Sequence, residues 1–380
     1  MKNAEELRQR HVRPAGRVVV KIGTNLLTGH DRPIDSDRIG NLVEQVAEAF
    51  GDDREVAVVS SGSIGAGMAG LGMTERPSTL RHLQATASVG QGKLVGEYDR
   101  KLRRHDLHAA QILLTREDFE NRRRYLNAAN TINTLFDLSC VPVINENDTI
   151  STDEIKFGDN DYLAAYVTHL IRAELLVLLT SVPGLCRSDP AAAEDPDVVS
   201  VVEEVDQDVE ELAVDRTSPG GAGGMKSKLD AARIATRAGE AAVIADGREP
   251  DCLRRVLSGE DMGTLFLPAE DRLSSYKRWL RFTRRPQGTL VVDDGARQAL
   301  VHRGTSLLPS GITGVRGGFG PGDTVRVCTE DGREVARGLS NYSSDEVKKI
   351  MGLQTDEIEE ALGYKDYDEV LHRDNLALST

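Results

Sequence analysis

Val18-Val19-Val20-Lys21-Ile22-Gly23-Thr24-Asn25 is the stretch on which the fold turns. A β-branched run closing on glycine reads as a strand and a tight turn, and apolar residues at successive positions rather than alternate ones mark a strand buried on both faces. Downstream, Ile39, Leu42, Val43, Val46, Ala47 and Phe50 recur at helical spacing behind Asp35 and Ser36, two candidate N-caps. Residues 56–60 then read as a second buried strand. Strand, helix and strand in that order predict parallel pairing.

The alternation continues through residues 109–114, 141–145, 175–180 and 241–245, which read as further strands. The expected fold class is α/β, a mostly parallel sheet sandwiched by helices. Ligands of such sheets bind beyond the carboxyl ends of the strands, so the loops after each strand carry the interest. The pattern changes after Leu267-Pro268. Tyr276-Lys277-Arg278-Trp279-Leu280-Arg281-Phe282-Thr283-Arg284-Arg285-Pro286 is basic and aromatic-bearing and suits a helix or extended linker. Short strands at 288–292, 311–315 and 324–328, with Gly and Pro turns, suggest a small β-rich barrel. The expected organisation is one domain over 1–270, a linker at 271–287, a second domain over 288–355, and a charged tail over 356–380 that is helical or loose.

The 380 residues, 39% hydrophobic and 28% charged, suit two domains. A net charge of −14 argues against a protein whose main task is wrapping nucleic acid. Cys140, Cys186, Cys252 and Cys328 are widely spaced and form no CxxC pair, which predicts reduced thiols with neither disulfide nor zinc site. Residues 1–17 lack an apolar core, and no stretch reaches the roughly 18 uncharged apolar residues of a membrane span. A cytoplasmic protein without membrane association is expected.

The loops carry the chemistry. Lys21 and Gly23 end the first strand, where a lysine can hold a phosphate or merely snorkel to solvent. Ser60-Ser61-Gly62-Ser63-Ile64-Gly65-Ala66-Gly67 reads as a loop of small residues whose N–H groups and hydroxyls can cradle an anion. Gly65, Gly67 and Gly70 also match GxGxxG. Four residues separate the first of these glycines from the strand, and Ala85 stands near the place of the acidic ribose partner, so hydride transfer is rejected.

Asn145-Glu146-Asn147-Asp148-Thr149 and Glu154-Ile155-Lys156-Phe157-Gly158-Asp159-Asn160-Asp161 form the densest polar stretch of the chain. Carboxylates there can take the ammonium of an amino acid, and amides its carboxylate, while an Asp could equally orient catalytic lysines or a metal ion. Gly220-Gly221-Ala222-Gly223-Gly224-Met225-Lys226-Ser227-Lys228 leads into a helix beginning near Met225. Met225 occupies the place of the second Walker glycine, which disfavours a P-loop NTPase. A glycine loop at a helix N-terminus, with Lys226 and Lys228 in the first turn, still suits ATP phosphates.

Taken together and in this order, Val-Lys-Ile-Gly-Thr, Ser-Ser-Gly-Ser-Ile, Asn-Glu-Asn-Asp, Phe-Gly-Asp-Asn-Asp and Gly-Gly-Met-Lys-Ser-Lys resemble the amino acid kinase family from about 17 to 268, in its glutamate-phosphorylating branch. Residues 288 to about 353, with Leu308-Pro309-Ser310-Gly311-Ile312 and Pro321-Gly322-Asp323-Thr324-Val325, resemble a PUA domain. The resemblance implies transfer of phosphate from ATP to the side-chain carboxylate of L-glutamate, with Mg2+, as the first step of proline biosynthesis. By motif, Lys21 and Lys228 would contact the transferring phosphoryl group and Asp161 would hold those lysines. Ser61, Asp148 and Asn160 would bind glutamate. Lys21, Thr180, Ser181, Ala222, Gly223, Gly224, Met225, Lys226, Ser227 and Lys228 would form the ATP side. One departure stands out: the family usually shows Thr-Asp-x-x-Gly-Leu-Tyr where this chain has Thr180-Ser181-Val182-Pro183-Gly184-Leu185-Cys186, which removes a charge and an aromatic face.

The same resemblance implies feedback inhibition by proline beside the glutamate loop, a homo-oligomer (dimer or tetramer), and glutamate 5-semialdehyde dehydrogenase as a partner. RNA is a further candidate partner of the PUA domain, with Arg278, Arg281, Arg284, Arg285 and Arg303 as phosphate contacts. The alternatives are a kinase for N-acetylglutamate, aspartate, carbamate or a nucleotide, an RNA-binding protein on a kinase-like scaffold, and a non-catalytic amino-acid sensor.

Overall fold

A computed structural model of the chain describes residues 4–27, 35–150, 160–188, 196–213, 224–269 and 286–379. It divides into two compact units, 1–119 with 124–271, and 120–123 with 272–380. The expected sites at Ala222 and Gly223, the segment 154–159 and the basic stretch 276–285 lie outside the described residues.

The first unit holds an eight-stranded sheet in the order β3-β4-β2-β1-β5-β7-β8-β6. Its strands are β1 Arg17–Ile22, β2 Glu55–Ser60, β3 His108–Leu114, β4 Cys140–Glu146, β5 Leu175–Thr180, β6 Val201–Val202, β7 Ala241–Asp246 and β8 Thr264–Phe266. From β3 to β7 every pairing is parallel. The expected α/β sheet therefore forms, and its six longer strands are those read from the β-branched runs. β6 and β8 are too short to leave a pattern. β8 runs antiparallel to β7 and is entered through Gly263, at φ +68, where a Cβ would lie 2.1 Å from the carbonyl oxygen of Ile244.

Among the described residues, the helices along the chain as far as β8 are α1 Ala4–His11, α2 Thr24–Leu27, α3 Ser36–Gly51, α4 Ser63–Gly70, α5 Leu80–Leu102, α6 Arg116–Glu120, α7 Arg122–Asp137, α8 Asn160–Leu170, α9 Gln207–Glu211, α10 Met225–Ala238 and α11 Cys252–Ser258. Asp35 is the cap of α3, accepting from the N–H groups of Asp37 and Arg38, and Ile39, Leu42, Val43 and Val46 pack with Val18, Val20 and Ile22 of β1. On α1, the fully buried guanidinium of Arg8 donates to the carbonyls of Met262, Ser200 and Gly263. That one side chain ties the first helix to the far edge of the sheet.

One reading is corrected here. Residues 60–67 are not a continuous loop, because helix α4 begins at Ser63 and takes up Gly65, Gly67 and Gly70. Glycine is a poor helix former, so tertiary packing has to hold α4 together. A Cβ on Gly67 would lie 1.9 Å from the carbonyl oxygen of Thr86, and one on Gly90 would lie 1.7 Å from that of Ser63. The glycines serve backbone-to-backbone contact between α4 and α5.

The second unit is a five-stranded sheet in the order β10-β9-β11-β12-β13. Its strands are β9 Gly288–Val292, β10 Ile312–Gly317, β11 Thr324–Thr329, β12 Glu334–Leu339 and β13 Leu376–Leu378, with helices α12 Asp294–Arg303, α13 Ser344–Ile350 and α14 Ile358–Leu362. Leu290, Val292, Ile312, Val325, Val327, Tyr342, Ile350 and Leu371 share its core. The charged tail expected to be helical or loose starts with helix α14 but ends in β13, which pairs with β12.

Candidate active site

Parallel register brings the carboxyl ends of β1, β2, β5 and β7 to one edge: Ile22 lies opposite Ser60 on one side and Leu179 on the other, and Thr180 opposite Asp246. β1 is central, with the chain continuing to β2 on one side and β5 on the other. That is the topological switch point at which open α/β sheets bind ligands.

Lys21, near the end of β1, is 3% exposed, and its ammonium lies 2.5 Å from Oδ1 of Asp161. Asp161, the second residue of α8, is fully buried. Its other oxygen, Oδ2, lies 3.1 Å from the ammonium of Lys228 and accepts from the hydroxyl of Ser227 at 2.8 Å. Burial alone would raise the carboxyl pKa of Asp161, but the two lysines and the Ser227 hydroxyl outweigh it and hold the group well below the usual carboxylate range. Two ammonium groups against one carboxylate leave net positive charge at the mouth of the central strand.

Helix α10 separates its two lysines. Lys228 is buried against Asp161, whereas Lys226 is exposed, because residues two apart on a helix do not share a face. Gly224 is the N-cap, and its carbonyl oxygen lies 2.9 Å from the Ser227 hydroxyl. Thr180 ends β5 and Ser181 follows it, both partly exposed at the same edge, with the Thr180 carbonyl accepting from Gly247 at 2.9 Å. Cys186, where the family usually has tyrosine, is buried and bridges to Val198, its thiol 3.6 Å from the Gly184 carbonyl.

A second cluster sits over β2 and β4. Nδ2 of Asn160 lies 2.9 Å from Oγ of Ser61, 2.8 Å from Oδ1 of Asn145 and 3.2 Å from the Ser60 carbonyl. Ser61 Oγ acts as acceptor there, which keeps its own proton free for a ligand. The third expected residue, Asp148, accepts at Oδ2 from the Ser63 hydroxyl at 3.0 Å. Asn160 and Asp161 are neighbours, so the two clusters adjoin.

In the sequence reading Asn145 is only one amide of a polar stretch and not a named site residue. It is 5% exposed, and its Oδ1 accepts from Asn160 and, at 2.9 Å, from the Glu146 N–H. Its Nδ2 has no hydrogen-bond partner among the described residues. A buried donor left over beside a cation pair is suited to an anionic ligand. At the end of the neighbouring strand β7, Arg248 grips Asp246 with Nε and Nη2, the latter at 2.6 Å. Among the described residues no group of three His, Cys, Asp or Glu could hold a metal ion, and no helix is long and apolar enough to cross a membrane.

Comparison with known proteins gives the family. The amino acid kinase family model matches residues 16–246, and the PUA domain model matches residues 288–362. The chain is 47% identical to the glutamate 5-kinase of Geobacter sp. strain M21 over 98% of its own length and 100% of that protein. It is 45% identical to that of Syntrophus aciditrophicus over 98% of this chain and 97% of the relative, and 47% identical to that of Caldanaerobacter subterraneus over 95% and 97%. Among solved structures, the UMP kinase of Bacillus anthracis matches with a TM-score of 0.47 and 16% identity over 67% of this chain and 97% of that one. With a buried lysine–aspartate–lysine bridge at the switch point and relatives aligned end to end, the chain belongs to the amino acid kinase family, in its glutamate 5-kinase branch, and carries a C-terminal PUA domain.

Proposed function

We propose that the chain transfers the γ-phosphoryl group of ATP to the side-chain carboxylate of L-glutamate, forming L-glutamyl 5-phosphate and ADP at the head of proline biosynthesis. The observation that carries this reading is the Lys21–Asp161–Lys228 bridge at the mouth of β1. A glutamate carboxylate, with an ordinary pKa of about 4.3, is already an ionised nucleophile, so no general base is needed. One carboxylate oxygen attacks the γ-phosphorus, the bond to the β,γ-bridging oxygen breaks, and that electron pair leaves with ADP. The obstacle is repulsion between two anions, which fixed ammonium groups offset without reorganising.

In this assignment Lys21 and Lys228 face the transferring group, and Asp161 fixes both. Ser61, Asp148 and Asn160 take glutamate. Thr180, Ser181 and the segment ending in Gly224, Met225, Lys226, Ser227 and Lys228 take the nucleotide, with Ala222 and Gly223 completing that loop in sequence. Mg2+ would enter with ATP as its magnesium complex and would offset the phosphate charge. Proline, as a smaller amino acid, would compete at the Asn147–Asp148 turn.

The test is ADP release from the purified chain with Mg-ATP and L-glutamate, hydroxylamine trapping the acyl phosphate. Glutamate-dependent hydroxamate supports the reading. Turnover with only N-acetylglutamate or aspartate would keep the lysine roles and refute the substrate.

A second reading concerns the PUA domain. Strand register places Arg316, Thr289, Arg326 and Arg337 in one row across β10, β9, β11 and β12. Arg316 and Arg326 are exposed and have no ion-pair partner among the described residues. Arg337 is paired with Glu334 at 2.8 Å, so the two exposed cations Arg316 and Arg326 are what the row offers to a polyanion such as an RNA backbone. A gel shift of labelled single-stranded RNA that weakens with salt and with Arg326→Glu would support this, and no shift at low salt would refute it.

A further inference from the structure

Tyr98, on α5, is 1% exposed, and its hydroxyl lies 3.0 Å from Oγ of Ser60. Phenylalanine would fill the same volume, so the buried hydroxyl calls for an account. Hydrogen-bond direction supplies it. Ser60 has one hydroxyl proton, and its Oγ lies 3.1 Å from the carbonyl oxygen of Ser61. With that proton given to Ser61, Tyr98 is the donor to Ser60. Burial, partly offset by the Ser60 contact, raises the Tyr98 pKa, which keeps the phenol protonated at working pH.

The Ser60–Ser61 peptide is held from two helices. From α8, Nδ2 of Asn160 reaches both the Ser60 carbonyl and Ser61 Oγ. From α5, Tyr98 reaches Ser60 and, through it, the Ser61 carbonyl. The platform under Tyr98 is itself tied down about two turns earlier, where Gly90 lets α5 meet the α4 backbone. The relay ends on the acceptor side of the site, while the lysines are fixed separately by Asp161.

We propose that Tyr98 is a positioning residue for the amino-acid substrate, orienting Ser61 through Ser60. The proposal rests on the assignment of Ser61 to glutamate made above. Its test is steady-state hydroxamate kinetics of wild type, Tyr98→Phe, Ser60→Ala and the double variant, with thermal melts of each. Losing one hydrogen bond in the relay should raise the KM for glutamate about 3- to 10-fold. The KM for ATP and kcat should stay within about twofold, and the double variant should match Ser60→Ala because both act through one relay. A purely structural role would lower the melting temperature and leave the KM for glutamate unchanged, which would overturn the proposal. So would additive effects in the double variant. Wild type without glutamate turnover would overturn the substrate assignment and this role together, whereas an active wild type with an unaltered Tyr98→Phe would overturn this role alone. Should Tyr98→Phe fail to fold, Ser60→Ala reads the same relay from its other end: a raised glutamate KM supports it and an unchanged one refutes it.

Discussion

Lys228 and Asp161, 67 residues apart in sequence, meet at 3.1 Å inside the protein, and the second oxygen of the same carboxylate holds Lys21. Asp161 can neutralise only one of the two ammonium charges. The residual charge is available to an anionic transition state. Replacing Lys21 or Lys228 by methionine, which keeps most of the volume and none of the charge, should lower kcat by roughly 10²–10³, as for other preorganised electrostatic groups. Hydroxamate assays at saturating substrates would measure it, and near-normal turnover of either variant would remove that lysine from the mechanism.

Asp161→Asn should cost stability as well as turnover. It strands two buried ammonium groups, and breaking a buried ion pair typically costs about 3–5 kcal/mol. The pH dependence follows from the depressed pKa of Asp161. A carboxyl that ionises more readily when folded contributes stability that is complete above its ordinary pKa of about 4 and is lost as pH falls toward the lower folded value. Between pH 8 and pH 5 the gap in urea midpoint between wild type and Asp161→Asn should therefore stay constant, narrowing only below about pH 4. A gap that closes already near pH 6 would contradict the charge state assigned to Asp161.

Lys21 was legible because a strand end is visible in a β-branched run closing on glycine. That Asp161, rather than Asp159 or Asp148, bridges the lysines was not readable from spacing and entered through family resemblance. The long strands were legible, since continuous apolar runs need two covered faces. Helix α4 was not, because three glycines suppress its intrinsic propensity and its helicity depends on contact with α5, a feature of pairs of segments. β13 escaped for a similar reason: Leu376-Ala377-Leu378 is too short to stand out before β12 pairs with it. The free donor of Asn145 depends on which neighbours occupy its other atom, and composition carries no trace of that.

Asn145→Asp isolates that donor. The carboxylate keeps an acceptor for Asn160 and for the Glu146 N–H, but Nδ2 becomes an anionic oxygen. A hydrogen bond to a charged ligand is worth roughly 1.5–3 kcal/mol, so the KM for glutamate should rise by about 10- to 100-fold while ATP binding changes little. An unchanged glutamate KM would show that the Asn145 donor serves no substrate.

The packing account of α4 and α5 predicts opposite signs for two alanines on one helix. At Gly90 a Cβ would fall 1.7 Å from the Ser63 carbonyl oxygen and 2.5 Å from the Gly67 nitrogen, both backbone atoms that cannot rotate away. Gly90→Ala should force α4 outward and cost about 1–3 kcal/mol or more, with a loss of glutamate affinity because Ser63 moves away from Asp148. At Gly92, exposed on the same helix with nothing within 4 Å, alanine should stabilise by roughly 0.5–1 kcal/mol through helix propensity alone. Urea midpoints of the two variants would settle the matter. Equal, small shifts would mean that the helices do not touch through their glycines, and the explanation for Gly67 would fall with that for Gly90.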